Sequence, residues 1–587
     1  MSLDTDVLII GAGMSGLGLA VQLQKKFPQA SFEIVEKTGD LGGTWSVNTY
    51  PGCGCDVASH LYSYSFALNP NWSRKYALRP EILTYFRSVA EQHDIPRHIS
   101  YHSTVQRAEF DAVTGTWLVT ILNQISNRVY QRRAKILVSA VGALSIPKTC
   151  EIPGAENFQG KLFHSAEWDH SFDWADKDVV VVGNGCSATQ FVPIMTEGDD
   201  KVRKLTQFSR QPHWLAERPN PYYSPVFKWT MRYVPLAMRM YRFWHYYLME
   251  SDFSGFYLDS GSKIREDLTK MQIDYMKKTA PARYQDALTP KTVIGCKRKV
   301  MDTEYLECLH RENMELVSSD PIEKVTETGV QTKSGRHVDA DAIVLATGFQ
   351  TQQVLFPMEI KGEKGISLTE HWNEVSSGAA QAYYGTCVSQ FPNFFIMMGP
   401  NTTTGHLSVI YTTECQINFT LRVIRPVLRS LHPSFLARLN PFARQAPDTV
   451  AVTPAAEKRD NTWIQTMAKN LVWASGCSSW YVDARTGRNT MLYPDWQWKY
   501  WLRSIFIPFR SDFEFSASPV QVAGKTDKSR SGNRSLILPG LGMALMVGVF
   551  AGSVLEIDAP KIRDLGLEEG RKLVDASRVL IAEVLAK

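Results

Sequence analysis

The chain has 587 residues, 44% of them hydrophobic and 21% charged, a size for roughly two to four packed domains and a composition that excludes a disordered or fibrous protein. Lys and Arg number 64 against 59 Asp and Glu, a net charge of only +5, and no basic run interleaved with aromatics marks a nucleic-acid surface. The nine cysteines are odd in number and scattered, which fits reduced thiols inside a cell rather than a disulfide framework, and the Cys53/Cys55 pair alone is too small a cluster for a metal.

In chain order, Asp6-Val7-Leu8-Ile9-Ile10 is an apolar run of β-formers met almost at once, leaving no room for a signal or transit peptide. Gly11-Ala12-Gly13-Met14-Ser15-Gly16 follows and opens a helix-like segment at 17–25, and Phe32-Glu33-Ile34-Val35 predicts a second strand that ends in Glu36. A bound dinucleotide requires this order. Gly11 permits the tight turn, Gly13 lets backbone amides approach a pyrophosphate, and Gly16 lets the helix pack on the strand. The helix N-terminus, with Ser15 in its first turn, then faces the phosphates with its positive end. Glu36 lies about 20 residues beyond Gly16, where a carboxylate holds a ribose hydroxyl.

The pattern recurs at Asp178-Val179-Val180-Val181-Val182, followed by Gly183-Asn184-Gly185-Cys186-Ser187-Ala188. Ala188 serves at the third position because that site needs only a small side chain. The next strand, at 204–208, ends in Ser209-Arg210 with no acid. An acid there would repel a 2′-phosphate, whereas Arg210 can grip one with charge-assisted hydrogen bonds. The first site is therefore expected to take FAD and the second NADPH. A nicotinamide that reduces a flavin is the simplest reason to hold both.

Between the two folds, residues 158–169 read FQGKLFHSAEWD and match FxGxxxHxxxW(P/D), with His164 at the histidine. Gly42-Gly43-Thr44-Trp45, Tyr50-Pro51-Gly52 and Asp56 form a second string; Gly295-Cys296-Lys297-Arg298 with Tyr305 and Asn313 a third; Ala346-Thr347-Gly348-Phe349 a fourth; Gly399-Pro400-Asn401-Thr402 a fifth. Taken in order over residues 5–415, these strings resemble the type I Baeyer–Villiger monooxygenases. Thr49 stands where relatives often carry Arg.

The resemblance implies roles by position. Arg298 is expected as the catalytic arginine beside the flavin, with Asp56 behind it, and Lys297 as a second contact to the NADPH 2′-phosphate. Gln190 is expected to touch the nicotinamide cofactor, Thr44 and Trp45 to lie at the flavin, and His164 to be a linker between domains. Physically, a permanently protonated guanidinium stabilises an anionic oxygen-transferring group.

The implied fold is α/β, with two Rossmann-like dinucleotide-binding domains, a helical insertion and a C-terminal extension. FAD is expected on 1–150 and 380–530, NADPH on 151–215 and 291–379, and the insertion at 216–290, entered through the proline-punctuated run 219–225. The implied reaction puts one atom of O2 next to the carbonyl of a bulky apolar substrate, such as a natural-product intermediate of secondary metabolism. The alternative is oxygenation of nitrogen, sulfur or an alkene on the same scaffold. A flavin disulfide reductase would need CxxxxC beside the first fold, where the chain has Gly42-Gly43-Thr44-Trp45.

Past residue 415 the aromatics at Trp480-Tyr481 and 493–501 are read as a wall of the substrate channel, with ordinary core packing as the competing account. Residues 535–555 carry no charge and follow a basic stretch at 525–534, a length for a single membrane pass with its flanks on the cytosolic side. Pro539 interrupts that run, and a buried helix would look the same. Residues 556–587 are expected as a short amphipathic helix. The expected setting is intracellular, in the cytoplasm or at the cytosolic face of a membrane, with no protein partner.

Overall fold

A computed structural model describes residues 2–433, 447–477, 479–507 and 509–517. The expected segments 535–555 and 556–587 lie outside the described residues. Among the described residues no helix is long and apolar enough to cross a membrane.

The strand Thr5–Ile10 is buried at every position, as a run without polar alternation must be when helices cover both faces of a sheet. It pairs in parallel with Phe32–Val35 on one side and Arg128–Ser139 on the other, so that Ile9 lies between Ile34 and Val138. Ile99–Ser100 extends the sheet beyond Phe32–Val35. On the other side the chain turns back twice, through Ser103–Asp111 and Thr116–Asn123, as an antiparallel meander ending in Arg128–Ser139.

The second sheet is all parallel, ordered Met314–Val317, Lys204–Phe208, Asp178–Val182, Ala342–Leu345, Lys161–His164. Its central valines 179–181 are almost wholly buried. The chain therefore carries two dinucleotide-type α/β folds in series. Residues 216–290 leave the second sheet and carry the helices Pro225–Tyr233, Ala237–Ser251 and Ser262–Thr279.

The return to the first sheet starts earlier than residue 380. Glu359–Lys361 pairs in parallel with Ser103–Asp111 at the sheet edge, and Phe394–Ile396 then pairs with Arg128–Ser139. The boundary expected at 379/380 is corrected accordingly; a three-residue edge strand has too few side chains to show alternation. The helix Val409–Val423 then packs on Met14–Lys26, where Gly18 leaves room for Ile417: a Cβ at Gly18 would sit 3.1 Å from the Ile417 Cδ1.

Trp117 joins these parts. It is fully buried between Phe110 and Phe394, and its Nε1–H donates to the Pro392 carbonyl at 2.9 Å. Trp117→Ala is expected to lower stability by about 3–5 kcal/mol through the cavity and the orphaned carbonyl. A denaturant midpoint unchanged from wild type would show that the meander does not depend on it.

Candidate active site

The glycines of the first motif divide by what stands next to them. A Cβ on Gly16 would lie 2.0 Å from the Gly11 carbonyl oxygen, and Gly11 itself holds φ +103° against Ala140. Those two are required by the turn and the helix packing. Gly13 is different: a Cβ there would meet only the Gly43 Cα at 3.6 Å, an ordinary contact, so the protein's own packing does not require glycine. The open side of Gly13 is the approach that a pyrophosphate needs, and the residues fit an FAD in that respect.

Glu36 is buried at the end of its strand. One carboxylate oxygen accepts from the Ala12 N–H at 2.7 Å and the other from the Thr38 N–H and Oγ1–H at 2.9 and 2.8 Å. It thus ties the glycine turn to the strand exit. Ser15 is buried, its Oγ 3.4 Å from the Thr413 Oγ1, an attachment to the returning helix that local sequence could not reveal. Trp45 donates from Nε1 to the Tyr62 hydroxyl at 3.0 Å and is buried, while Thr44 beside it is exposed.

The second motif repeats the division. Gly183 has φ +114°, and a Cβ there would be 2.5 Å from the Ala346 oxygen, whereas a Cβ on Gly185 would meet nothing within 4 Å. Ala188 is buried at the helix start and Ser187 precedes it as the N-cap residue. Arg210 is exposed at the exit of the next strand, and Lys297 reaches the same corner, hydrogen-bonded to the Gln211 side chain. Burial, and then the charge of Arg210, lower the Lys297 pKa below its usual value. Two cations facing one another are repelled until an anion stands between them, so this corner suits a 2′-phosphate.

Gln190 does something the sequence reading missed. Its Nε2–H donates to the Gly54 carbonyl at 3.1 Å, and its Oε1 accepts from the Gly54 N–H at 3.3 Å and the Tyr50 hydroxyl at 3.1 Å. The amide thereby clamps the helix Ala188–Met195 to the 50–54 loop of the first fold. His164 is likewise built in: its Nδ1 accepts from the Ala166 N–H at 3.1 Å and its ring meets Phe349. Thr49 is 2.8 Å from the His170 Nε2.

Arg298 and Asp56 meet in a two-pronged pair, Nε to Oδ2 at 2.7 Å and Nη2 to Oδ1 at 2.8 Å. Asp56 comes from the first fold and Arg298 from the chain re-entering the second. Each side chain is about a quarter exposed, at 26%, so the pair lines a cleft rather than a sealed core. Asp56's negative charge, opposed by burial, raises the Arg298 pKa further. Burial would raise the Asp56 carboxyl, but the charge and hydrogen bonds of Arg298, with help from Arg218, hold it below the usual range.

Two neighbours of the pair add to what sequence disclosed: Arg218, which carried no signal, and Tyr481, which was read only as channel wall. Arg218 donates to the Cys55 carbonyl at 2.7 Å and adds positive charge beside Asp56, but it lies in an irregular stretch with no motif. Tyr481 is buried, its hydroxyl without a hydrogen-bond partner, and it interacts electrostatically with Arg298. The 493–501 aromatics divide: Tyr493 and Tyr500 are core residues packed on one another, while Trp498 and Trp501 are exposed. Core packing thus accounts for part of what was read as channel wall.

One expectation is overturned. Cys296, next to Lys297 and Arg298, is disulfide-bonded to Cys477, 181 residues away, with Cα atoms 6.3 Å apart. The remaining seven cysteines are free. Scattered spacing concealed the pair because the fold, not the sequence, brings them together. Burial raises the free Cys53 thiol to about 11, away from reactive-thiolate chemistry.

Since Asp56 titrates below its unfolded value, its pair contributes stability that is complete above that unfolded value, about pH 4, and is lost as pH falls through the folded one. Asp56→Asn is therefore expected to melt below wild type at neutral pH, with the gap closing only under acid. A gap independent of pH would mean that the carboxylate charge is not what stabilises the cleft.

The model of the flavin-binding monooxygenase-like family matches residues 4–361. A Baeyer–Villiger monooxygenase of Pseudomonas aeruginosa is 34% identical over 84% of this chain and 88% of its own, and one of Streptomyces coelicolor is 33% identical over 90% and 96%. Among solved structures, an oxidised steroid monooxygenase bound to NADP superposes with TM-score 0.72 at 26% identity, covering 87% of this chain and 99% of the other. With two dinucleotide folds, an Arg–Asp pair between them and these likenesses, the chain belongs to the flavin-binding monooxygenase-like family and is a flavoprotein monooxygenase.

Proposed function

We propose that this enzyme carries out Baeyer–Villiger oxidation: a ketone, O2, NADPH and a proton give an ester or lactone, water and NADP+. The observation that carries the reading is the guanidinium of Arg298, locked by Asp56 in the cleft between the two folds. The names of the bacterial relatives point the same way. FAD, which the Gly11–Gly16 turn would hold, would supply the hydride acceptor and the centre at which O2 is activated.

The residues of the chain do the rest. Nε and Nη2 of Arg298 are turned to Asp56, which leaves Nη1 outside that pair. Because Asp56 raises its pKa, Arg298 is a fixed cation at any working pH and stabilises negative charge on the transferring oxygen without gaining or losing a proton. Gly13 and Gly185 leave room for the two pyrophosphates, and Arg210 with Lys297 selects the 2′-phosphate.

The substrate we infer is bulky and apolar. The loop bearing Arg298 rests on the apolar cluster of Phe256, Val472, Trp473 and Tyr481, with Trp473 donating to the Gly295 carbonyl at 3.2 Å. Such a wall desolvates the reacting centre and suits a hydrocarbon skeleton. The uncharged run at 535–555 supports a membrane-attached setting from sequence alone.

Arg298→Ala is expected to lower the oxygenation rate roughly 100- to 1000-fold while leaving FAD bound. Stopped-flow absorbance of the reduced protein mixed with O2, followed by product analysis on a ketone panel, checks it. Identical reoxidation traces for wild type and variant, with no ester formed, would remove the carbonyl reaction and leave the two-cofactor monooxygenase. Lys297→Ala should raise KM for NADPH by roughly tenfold or more and leave KM for NADH unchanged. Equal effects on both coenzymes would place the 2′-phosphate elsewhere.

A further inference from the structure

The insertion presents an apolar face to solvent. On the helix Ala237–Ser251 the exposed large apolar side chains are Met240, Phe243, Trp244, Tyr247 and Leu248, spaced as one helical stripe. Its inward side mixes Tyr246 and Met249, packed on the core, with the polar Arg242, His245 and Glu250. Arg242 donates from Nη1 to the carbonyls of His60 and Leu61 at 2.8 and 3.1 Å and to the Ser63 Oγ at 3.0 Å. Glu250, also buried, holds His406 and the amides of Gln497 and Trp498. The preceding helix, Pro225–Tyr233, also turns apolar side chains outward, Val226, Trp229 and Tyr233, while Met231 is buried.

Such a surface has a cost in water: Trp229 is 58% exposed, and Phe243 and Trp244 are each 52% exposed. A contiguous apolar stripe of this kind marks a contact site. The charges beside it identify the partner. Lys228, Arg232 and Arg239 lie on the same two helices, and from 219 to 249 the chain contains no Asp or Glu. Aromatic rings with Lys and Arg, and no acid, are what the headgroup region of an anionic bilayer accommodates. A second copy of this chain, docked face to face, would set these cations against one another.

We propose that the helices Pro225–Tyr233 and Ala237–Ser251 dock this enzyme on the surface of a membrane containing anionic lipids, their aromatic stripe lying in the interface and not crossing it. The surface is separate from Arg298 and from the carbonyl reaction, so either can fail without the other.

Full-length protein with bound FAD is sedimented with vesicles of phosphatidylcholine alone or mixed with phosphatidylserine, and wild type is compared with a Phe243→Glu/Trp244→Glu double variant. Both positions point to solvent, and an unchanged flavin content and NADPH oxidation rate report intact folding. The expected result is pelleting with the phosphatidylserine vesicles, weakened by salt, and at least ~10-fold weaker for the variant. Equal pelleting of the two proteins would overturn the proposal, because another part of the chain would then hold the bilayer. No pelleting of wild type would also overturn it, including the case where analytical ultracentrifugation finds a dimer that the variant loses.

Discussion

The ion pair between Arg298 and Asp56 is the constraint on which the site depends. Neither residue belongs to a glycine motif, and they are 242 positions apart, so the pair exists only while the two folds keep their mutual position. A guanidinium brought into a cleft without its carboxylate would lose hydration and gain nothing. The surrounding contacts hold the Asp56 side still. Gln190 clamps Gly54, Arg218 holds the Cys55 carbonyl, and the Arg79 amide donates to the Cys53 carbonyl. On the Arg298 side, the Cys296–Cys477 bond and the Trp473 indole fasten the loop to the C-terminal part. Every one of these is a long-range contact, and each limits how far the cation can drift from its partner.

The same distinction decides what the sequence could disclose. The two nucleotide turns were readable because strand, glycines and helix lie within about thirty residues and obey local rules. Glu36 and Arg210 were read from the sign of charge at a strand exit, a local feature too. Gln190 was readable as a position but not as a clamp, since its partners are 136 and 140 residues away. Arg218 and the Cys296–Cys477 bond carried no local signal. Tyr481 and Tyr493 look alike in sequence, yet one interacts with Arg298 and the other packs on Tyr500. Aromatic content says that a residue is buried, not what it is buried against.

The family string at 158–169 has a physical meaning that is architectural. A Cβ on Gly160 would strike the Asp341 carbonyl at 2.5 Å, His164 leans on Phe349, and Trp168 packs between Phe163 and Phe191. Asp169 pairs with Lys161. These residues fasten the edge strand Lys161–His164 to the sheet and to the segment leading back toward the first fold. The string therefore identifies a way of joining the two folds, and the chemistry follows from the geometry that this joint preserves.

The insertion extends that logic to the surface. The 60–63 segment, a few residues beyond Asp56, presents the carbonyls of His60 and Leu61 where no strand or helix satisfies them. Burying them without donors would cost about 1–3 kcal/mol each. Arg242 donates to both, joined at His60 by the Ser63 hydroxyl, and Glu414 lies 3.7 Å away to balance its charge. With Arg242 and Glu250 committed to the interior, the helix has only its other face left for Met240, Phe243, Trp244, Tyr247 and Leu248. The inward face is already filled by Arg242, Tyr246, Met249 and Glu250, which leaves that stripe outside. The apolar exterior thus follows from how the helix supports the loop behind Asp56, and a lipid surface is the environment in which both faces are satisfied at once.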